Sequence, residues 1–274
     1  MTSTLETEPQ KQTATPSAGR SRFVWYELHT PDAAAAARFY QPVLGWTTRD
    51  GGIRDRKYTL VCVEDTPIGG LLEKPASAFA SGEKPRWIGY IVVPDVHVFS
   101  QRVEQAGGLV HRPAEEIPGV GTFAVVGDPQ SAIFTLFQPL PGIMRSEPPP
   151  LSTPGMPAWH DLGALDWPSE FQFYSNLFGW TKSDAIDMGP NGVYQIFGIG
   201  SEPIGGMMNL PGNAQGAGWM FYFRVDEIDA SIARVHQHGG RLVDGPSPVP
   251  GGLQIAHCLD AQGAVFAMVA PGRQ

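Results

Sequence analysis

Only two of the 274 residues are cysteine, Cys62 and Cys258, and neither stands in a ligand or redox motif. That excludes a disulfide framework and a thiolate metal site, and leaves buried, reduced thiols as the expectation. No stretch approaches the roughly 18 uninterrupted apolar residues of a spanning helix. Residues 1–21, MTSTLETEPQKQTATPSAGRS, lack the apolar core of a secretory signal. Positive charge is also scarce. Lys plus Arg number 19 against 27 Asp plus Glu, for a net charge of -8, and no basic stripe interleaves with aromatics. A nucleic-acid partner is excluded on that ground. HExxH, the Walker loop, GxGxxG and GxSxG are all missing, which removes the zinc protease, nucleotide and hydrolase readings. The expectation is a cytoplasmic protein with a disordered leader over residues 1–21 and a small-molecule partner, without nucleic acid or membrane; a homodimer stays open.

What is present is a duplication. FYQPVLGW (39–46) returns as FYSNLFGW (173–180), and TPIGGLLEKP (66–75) as EPIGGMMNLP (202–211). VEQAGGLV (103–110) matches VHQHGGRL (235–242), and DPQSAIFTLFQP (128–139) matches DAQGAVFAMVAP (260–271). The offsets are 134, 136, 132 and 132 residues, so the pairs keep their order and nearly their spacing. That is a tandem repeat with short indels. The seam, 138–157, is rich in proline and reads as a stiff, extended linker. It gives a leader at 1–21, a first domain at 22–140, a linker at 141–156 and a second domain at 157–272. If each half kept a core of its own, proteolysis in the linker would leave two resistant fragments.

Within each half the strand and helix signals recur twice. VWYELHT is rich in β-formers; Thr30 then offers an N-cap, Pro31 a first helical position and Asp32 a carboxylate at the positive end of a helix running to Gly45. Short strands follow at 58–64 and 68–73. The second quarter has a strand at 87–93, a helix from about Val96 to Ala106 stopped by Gly107 and Gly108, and two more strands. The fold class is α+β, with four βαβββ modules in two pairs.

The helix ending FY-x-x-x-x-GW, the helix ending in GG and the closing strand opened by D-P-Q-S-A or D-A-Q-G-A together resemble the vicinal oxygen chelate superfamily. Its members include glyoxalase I, bleomycin resistance proteins, fosfomycin-modifying enzymes and extradiol dioxygenases. The resemblance covers Phe23 to Pro271 and implies two glyoxalase-like cups in tandem, each curled from two modules. It also implies, in members with a metal, His and Glu ligands on the cup wall. Counting from Asp32 and Asp166 puts Trp25 and Trp159 in the first-strand slots; counting from Asp128 and Asp260 puts Thr135 and Ala267 in the closing-strand slots. Ile88 and Met220 fill the slots of the second and fourth modules. Near Leu71 and Met207, where a third-strand carboxylate would fall, only Glu73 is close. No cofactor and no metal are expected.

Alternation places Trp25, Glu27 and His29 on one strand face, and Trp159 and Asp161 on its counterpart. Glu27 and Asp161 are equivalent, as are Tyr90 and Tyr222. The candidate ligand-binding set is therefore Trp25, Glu27, His29, Tyr90, Thr135, Trp159, Asp161, Met220 and Tyr222, with Glu27 and Asp161 the candidate acid–base groups. For each there is also a structural account: tryptophan as core, the acid as a hydrogen-bonded scaffold group, tyrosine as packing with a wet tip. His160 should point away from the cup, and His257 and Cys258, adjacent on a strand, cannot form a nucleophilic pair. The expected function is metal-independent binding of an apolar or aromatic small molecule, in antibiotic sequestration or a secondary-metabolite pathway. The alternative is a glyoxalase-like lyase or isomerase, or a tailoring oxidoreductase, using an acid in the cup.

Overall fold

The computed structural model describes residues 21–52, 57–144, 149–211 and 216–272. All of the expected leader except Ser21 lies outside the described residues; Ser21 itself is buried.

In the first half the order is β1 (Phe23–Thr30), α1 (Ala33–Leu44), β2 (Thr47–Asp50), β3 (Tyr58–Val63), β4 (Thr66–Glu73), α2 (Ala76–Ala80), β5 (Arg86–Val92), α3 (Val96–Gln105), β6 (Leu109–Ile117), β7 (Gly121–Gly127) and β8 (Ile133–Pro139). The second half repeats the plan: β9 (Pro157–Ala164), α4 (Trp167–Phe178), β10 (Thr181–Asp187), β11 (Val193–Ile199), β12 (Glu202–Asn209), β13 (Gly218–Arg224), α5 (Ile228–Gln237), β14 (Arg241–Val249), β15 (Leu253–Leu259) and β16 (Val265–Pro271). Each half closes its own eight-stranded sheet, ordered β2-β3-β4-β1-β5-β8-β7-β6 and β10-β11-β12-β9-β13-β16-β15-β14. The modules thus pair within a half. β1 runs parallel to β4 and antiparallel to β5, which in turn runs parallel to β8. No helix of the described residues is long and apolar enough to cross a membrane.

Local chemistry explains the helix limits, with one correction. Asp32, rather than Thr30, caps α1: its side chain accepts the Ala35 N–H at 2.8 Å, while Thr30 is the last residue of β1 and Pro31 precedes the helix. The cap satisfies one of the first-turn N–H groups that has no intrahelical partner. Gly45 and Gly179 end α1 and α4 at φ 74° and 72°, a left-handed conformation that favours glycine over any residue with a Cβ. Ala36, Phe39, Tyr40, Val43 and Leu44 form the buried stripe of α1.

One apolar core joins both halves, so the halves do not have separate cores. Phe23 and Tyr26 on β1 meet Phe221 on β13 edge-on at 5.6 and 5.3 Å, and Trp46 and Trp87 meet Phe223 at 5.1 and 5.3 Å. Such offset and edge contacts are favourable beyond the area they bury. The linker is not free at its far end either: Met156 is buried, and the Gly155 carbonyl accepts the Trp46 indole N–H at 2.8 Å. The Trp180 indole reaches the Ser21 carbonyl at the same distance, the equivalent contact in the other half.

The motifs that reveal the repeat meet across the halves. The hydroxyl of Tyr40 on α1 donates to Asp260 at 3.0 Å, and that of Tyr174 on α4 donates to Asp128 at 2.9 Å. Each aspartate also accepts backbone N–H groups of its own turn, from Gln262 and Ala264 or from Gln130 and Ala132. Beside them Gln262 bonds both backbone groups of Asp32, and Gln130 both backbone groups of Asp166. The duplicates differ at one point. Glu170 lies against Asp128, wholly buried and with no hydrogen bond of ordinary length to its carboxylate oxygens, where the other half has Ala36.

Burial, with the neighbouring Asp128 carboxylate, pushes the Glu170 pKa up to about 9. Burial raises Asp128 as well, so the pair holds a proton at neutral pH. An unfolded glutamate ionises near pH 4.3. The folded chain therefore binds more protons than the unfolded chain between about pH 4.5 and 9. Stability from this group is fully present below that window and is lost as pH rises through it. Thermal melts of the wild type are expected to fall in midpoint across pH 5 to 9, and Glu170→Gln, a neutral near-isostere, is expected to flatten that slope.

Candidate functional site

The concave faces of the two sheets are left free by the core, and each carries a small satellite cluster of aromatics. In the first cup Tyr90, Phe123 and Phe137 pack with Trp25; in the second Tyr222, Ala267 and Val269 pack with Trp159 and Met220. Strand register lines up the site. Across the first sheet Trp25 faces Tyr90, Tyr90 faces Thr135, Thr135 faces Val125 and Val125 faces Arg112. Across the second the row is Trp159, Tyr222, Ala267, His257 and Asp244. Thr135 is buried within its row, and Met220 sits beside Asp161 as its register partner.

A carboxylate lies one strand step further along in each cup. Asp161 collects three donors: the Trp159 indole N–H at 3.0 Å and the Tyr194 hydroxyl at 2.5 Å on Oδ1, and the Tyr222 hydroxyl at 2.7 Å on Oδ2. Its pKa is raised, because the cost of burying the charge exceeds what the tyrosine hydroxyls return. Glu27, buried in the first cup, has the same company. The hydroxyls of Tyr58 and Tyr90 lie against it, and the Trp25 indole N–H donates to the Tyr58 hydroxyl at 2.9 Å. Both tyrosines are pushed well above their ordinary range by burial first and by Glu27's charge second.

Tyr58 and Tyr194 are absent from the sequence-based site. They occupy equivalent places, 136 residues apart in the numbering, the same offset that relates the two PIGG segments. Each ring starts on the third strand of its sheet and crosses the neighbouring one to reach the acid. The strand crossed carries glycine there. A Cβ on Gly70 would collide with the Tyr58 ring, and one on Gly206 with the Tyr194 ring. The second glycine of PIGG is thus the gap through which a tyrosine reaches the cup floor.

The first cup has a further chain of charge. His29 Nε2 lies 2.9 Å from Glu27 Oε1, and its Nδ1 lies 3.8 Å from Glu83, which also holds Lys74 at 2.6 Å. Glu73 is turned out of the cup, to Lys57 at 2.7 Å and the Ala33 N–H at 3.3 Å. The cavity over this cup measures about 1870 Å³ and reaches the linker at Ile143, Met144 and Leu151. His160 is out of the cup as its strand parity requires: it lies in the shared core, within 2.6 Å of both the Tyr26 hydroxyl and the Ile204 carbonyl. Burial lowers its pKa to about 4, so it is neutral. Both cysteines are buried and free, and burial pushes the Cys258 thiol up to about 12.

These donors do not fit a divalent ion of the superfamily's kind. Glu27 and Glu83 flank opposite ring nitrogens of His29 and cannot converge with it on one centre. Among the described residues no cluster of three His, Cys, Asp or Glu side chains could hold a metal. The positions that the sequence count assigns to the metal slots hold Trp25 and Trp159, Ile88 and Met220, Thr135 and Ala267.

Residues 165–268 match the family model described as the Glyoxalase/Bleomycin resistance protein/Dioxygenase superfamily, and residues 22–63 match that of the Bleomycin resistance protein-like N-terminal region. A protein of Mycobacterium tuberculosis named "Putative glyoxylase CFP32" is 29% identical over 257 residues, covering 91% of this chain and 95% of its own. The Anthracycline biosynthesis protein DnrV of Streptomyces peucetius is 28% identical over 262 residues, covering 89% and 91%. Among solved structures, the Mn(II)-bound glyoxalase from Novosphingobium aromaticivorans superposes with a TM-score of 0.63 at 14% identity, over 92% of this chain and 84% of that one. A 2,2',3-trihydroxybiphenyl 1,2-dioxygenase from Sphingomonas wittichii strain RW1 gives 0.64 at 11%, over 92% and 91%. With two curled sheets, a repeat that spans both and these matches along its length, the chain belongs to the glyoxalase/bleomycin resistance/dioxygenase superfamily and carries the vicinal oxygen chelate fold in each half.

Proposed function

We propose that this protein binds a planar, largely aromatic small molecule in its first cup, without a metal ion. The observation that carries the reading is the Trp25, Glu27, Tyr58 and Tyr90 group: the metal slot of the first strand holds an indole, and the nearest carboxylate is occupied by tyrosine hydroxyls. Aromatic walls supply stacking area, and a few fixed polar groups on the floor supply orientation. The size of the cavity suits a polycyclic ligand. Arg112 adds a cationic group and His29 a hydrogen-bonding imidazole near Glu27, favouring a ligand with phenolic or quinone oxygens. The name of the DnrV relative, an anthracycline biosynthesis protein, points to the same chemical class. Sequestration of such a compound, or a step in a secondary-metabolite pathway, would follow from this binding. A second reading, a lyase, isomerase or tailoring oxidoreductase that moves a proton, draws on the raised pKa of Asp161 in the other cup.

Elemental analysis of protein expressed with zinc, nickel, manganese and iron available is expected to find far less than one metal per chain. A stoichiometric metal that survives dialysis would end the metal-free reading.

Tryptophan fluorescence titrated with an anthracycline tests the ligand. Trp25→Ala is expected to weaken binding several-fold to tenfold, the loss of stacking worth about 0.5 to 1.5 kcal/mol, while Trp159→Ala leaves it unchanged. Unchanged affinity in Trp25→Ala together with a lowered melting temperature would make that residue plain core.

Gly70→Ala separates site from scaffold in the same assay. The added methyl displaces the Tyr58 ring from the floor, so affinity is expected to fall, with a melting loss limited to the roughly 1 to 3 kcal/mol of an overpacked site. The equivalent Gly206→Ala in the second sheet is expected to leave binding intact.

A further inference from the structure

The register row of the second cup carries a chain of titratable groups distinct from the Glu27, His29 and Glu83 chain of the first. Tyr222's hydroxyl lies 2.7 Å from Asp161 Oδ2 and 2.8 Å from His257 Nε2. On the other side of the imidazole, Nδ1 is 3.7 Å from Asp244 Oδ2. Asp161 is partly buried on the floor, His257 partly exposed, and Asp244 exposed on the rim. The corresponding residues in the first cup are Val125 for His257 and Arg112 for Asp244; Arg112 is turned to Glu115 at 2.7 Å and lies over the Phe123 ring. The row of register partners is conserved in geometry and has been rewritten in chemistry.

The geometry allows two proton arrangements that satisfy every short contact. In the first, His257 is protonated on both nitrogens: Nε2–H donates to the Tyr222 oxygen, Tyr222 donates to an ionised Asp161, and Nδ1–H faces the Asp244 carboxylate. In the second, Asp161 is protonated and donates to Tyr222, Tyr222 donates to Nε2 of a neutral His257, and Nδ1–H still faces Asp244. The two differ by a concerted shift of two protons along hydrogen bonds of 2.7 and 2.8 Å. The net result is one proton moved between the cup floor and the rim. The Asp244 carboxylate faces the Nδ1 side of the imidazole in both, 3.7 Å away.

We propose that Asp161, Tyr222, His257 and Asp244 form a proton relay that equips the second cup for acid–base chemistry on a ligand bearing an acidic C–H or O–H, such as an enolisable ketone or a phenol. In the balanced step the ligand's proton goes to the remaining lone pair of Asp161 Oδ2 and the bond's electron pair stays on the ligand as enolate or phenolate. With Asp161 ionised and His257 Nε2 bare beforehand, this uptake gives the second arrangement; the concerted shift through Tyr222 then puts a proton on Nε2 and restores the Asp161 carboxylate, and the imidazolium loses one proton to water at the rim. No oxidant or metal enters. The raised pKa of Asp161 brings its proton affinity towards that of an imidazole, which is the condition for sharing. The groups that bear on the relay are Trp159 on β9, Tyr194 on β11, Tyr222 on β13, Asp244 on β14 and His257 on β15. The relay is independent of what the first cup binds.

The test is histidine-selective ¹⁵N NMR of the full chain across pH 4 to 9, with the His257 signals identified by their loss in His257→Gln. In the wild type, His257 is expected to titrate in two linked steps, the second reporting Asp161. Asp161→Asn is expected to remove the second step and lower the midpoint of the first by about one pH unit, because a nearby negative charge is gone. Tyr222→Phe is expected to leave a single step, with Asp161 no longer visible from His257. A wild-type His257 that titrates in one simple step overturns the proposal, even without a variant. So does a two-step curve that survives Tyr222→Phe in a protein whose backbone spectrum shows it folded.

Discussion

Two aspartates hold this molecule in its shape. Asp128 and Asp260 each sit in the tight turn before a closing strand, bound by the turn's own N–H groups, and each accepts the hydroxyl of a tyrosine from the opposite half. The contacts are buried and charge-assisted, so losing either partner would leave an unsatisfied polar group in the core. Because the clasp brings the backs of the sheets together, α1 packs near α5 and α3 near α4, and a single aromatic core forms between the halves. The cup faces point the other way. Everything that could meet a ligand depends on that division of faces.

Much of the fold was legible because the chain states it twice. FY-x-x-x-x-GW, PIGG and the D-x-Q turn each recur in order, and strand parity correctly put Trp25, Glu27 and His29 on one face and His160 on the other. The helix cap was misplaced because Thr30 and Asp32 are both good capping residues, and the longer run of β1 decided between them. Tyr58 and Tyr194 were missed for a different reason. Alternation says which face a residue takes but not how far a long side chain travels across that face, and their reach depends on glycines one strand away. His257 was considered only as a partner for Cys258. Facing opposite ways, the two cannot pair, yet the same parity sends the imidazole into the cup beside Tyr222.

The differences between the copies are as informative as the likenesses. At equivalent places stand His29 and Gly163, Thr135 and Ala267, Val125 and His257, Arg112 and Asp244, Ala36 and Glu170. The first four pairs line the cups, where Arg112 at the rim of one is replaced by Asp244 at the rim of the other. The last lies at the clasp and adds a buried proton to one side of it. Scaffold contacts stayed nearly symmetric while the cup linings diverged, as expected when packing constrains the interior and ligand chemistry does not constrain both copies.

The reciprocity of the clasp also carries information about descent. Each half gives a tyrosine and receives one, and each half's closing indole is held by a carbonyl just ahead of a first strand, Ser21 in one case and Gly155 in the other. A contact in which the same patch serves as donor and acceptor is the signature of a two-fold axis, the isologous interface of a homodimer. An ancestral gene of half this length would have made two separate chains that met by these very contacts. Fusion then needed only enough linker to run from one Pro-rich end to the next beginning, and once covalent, the partners were free to become unlike.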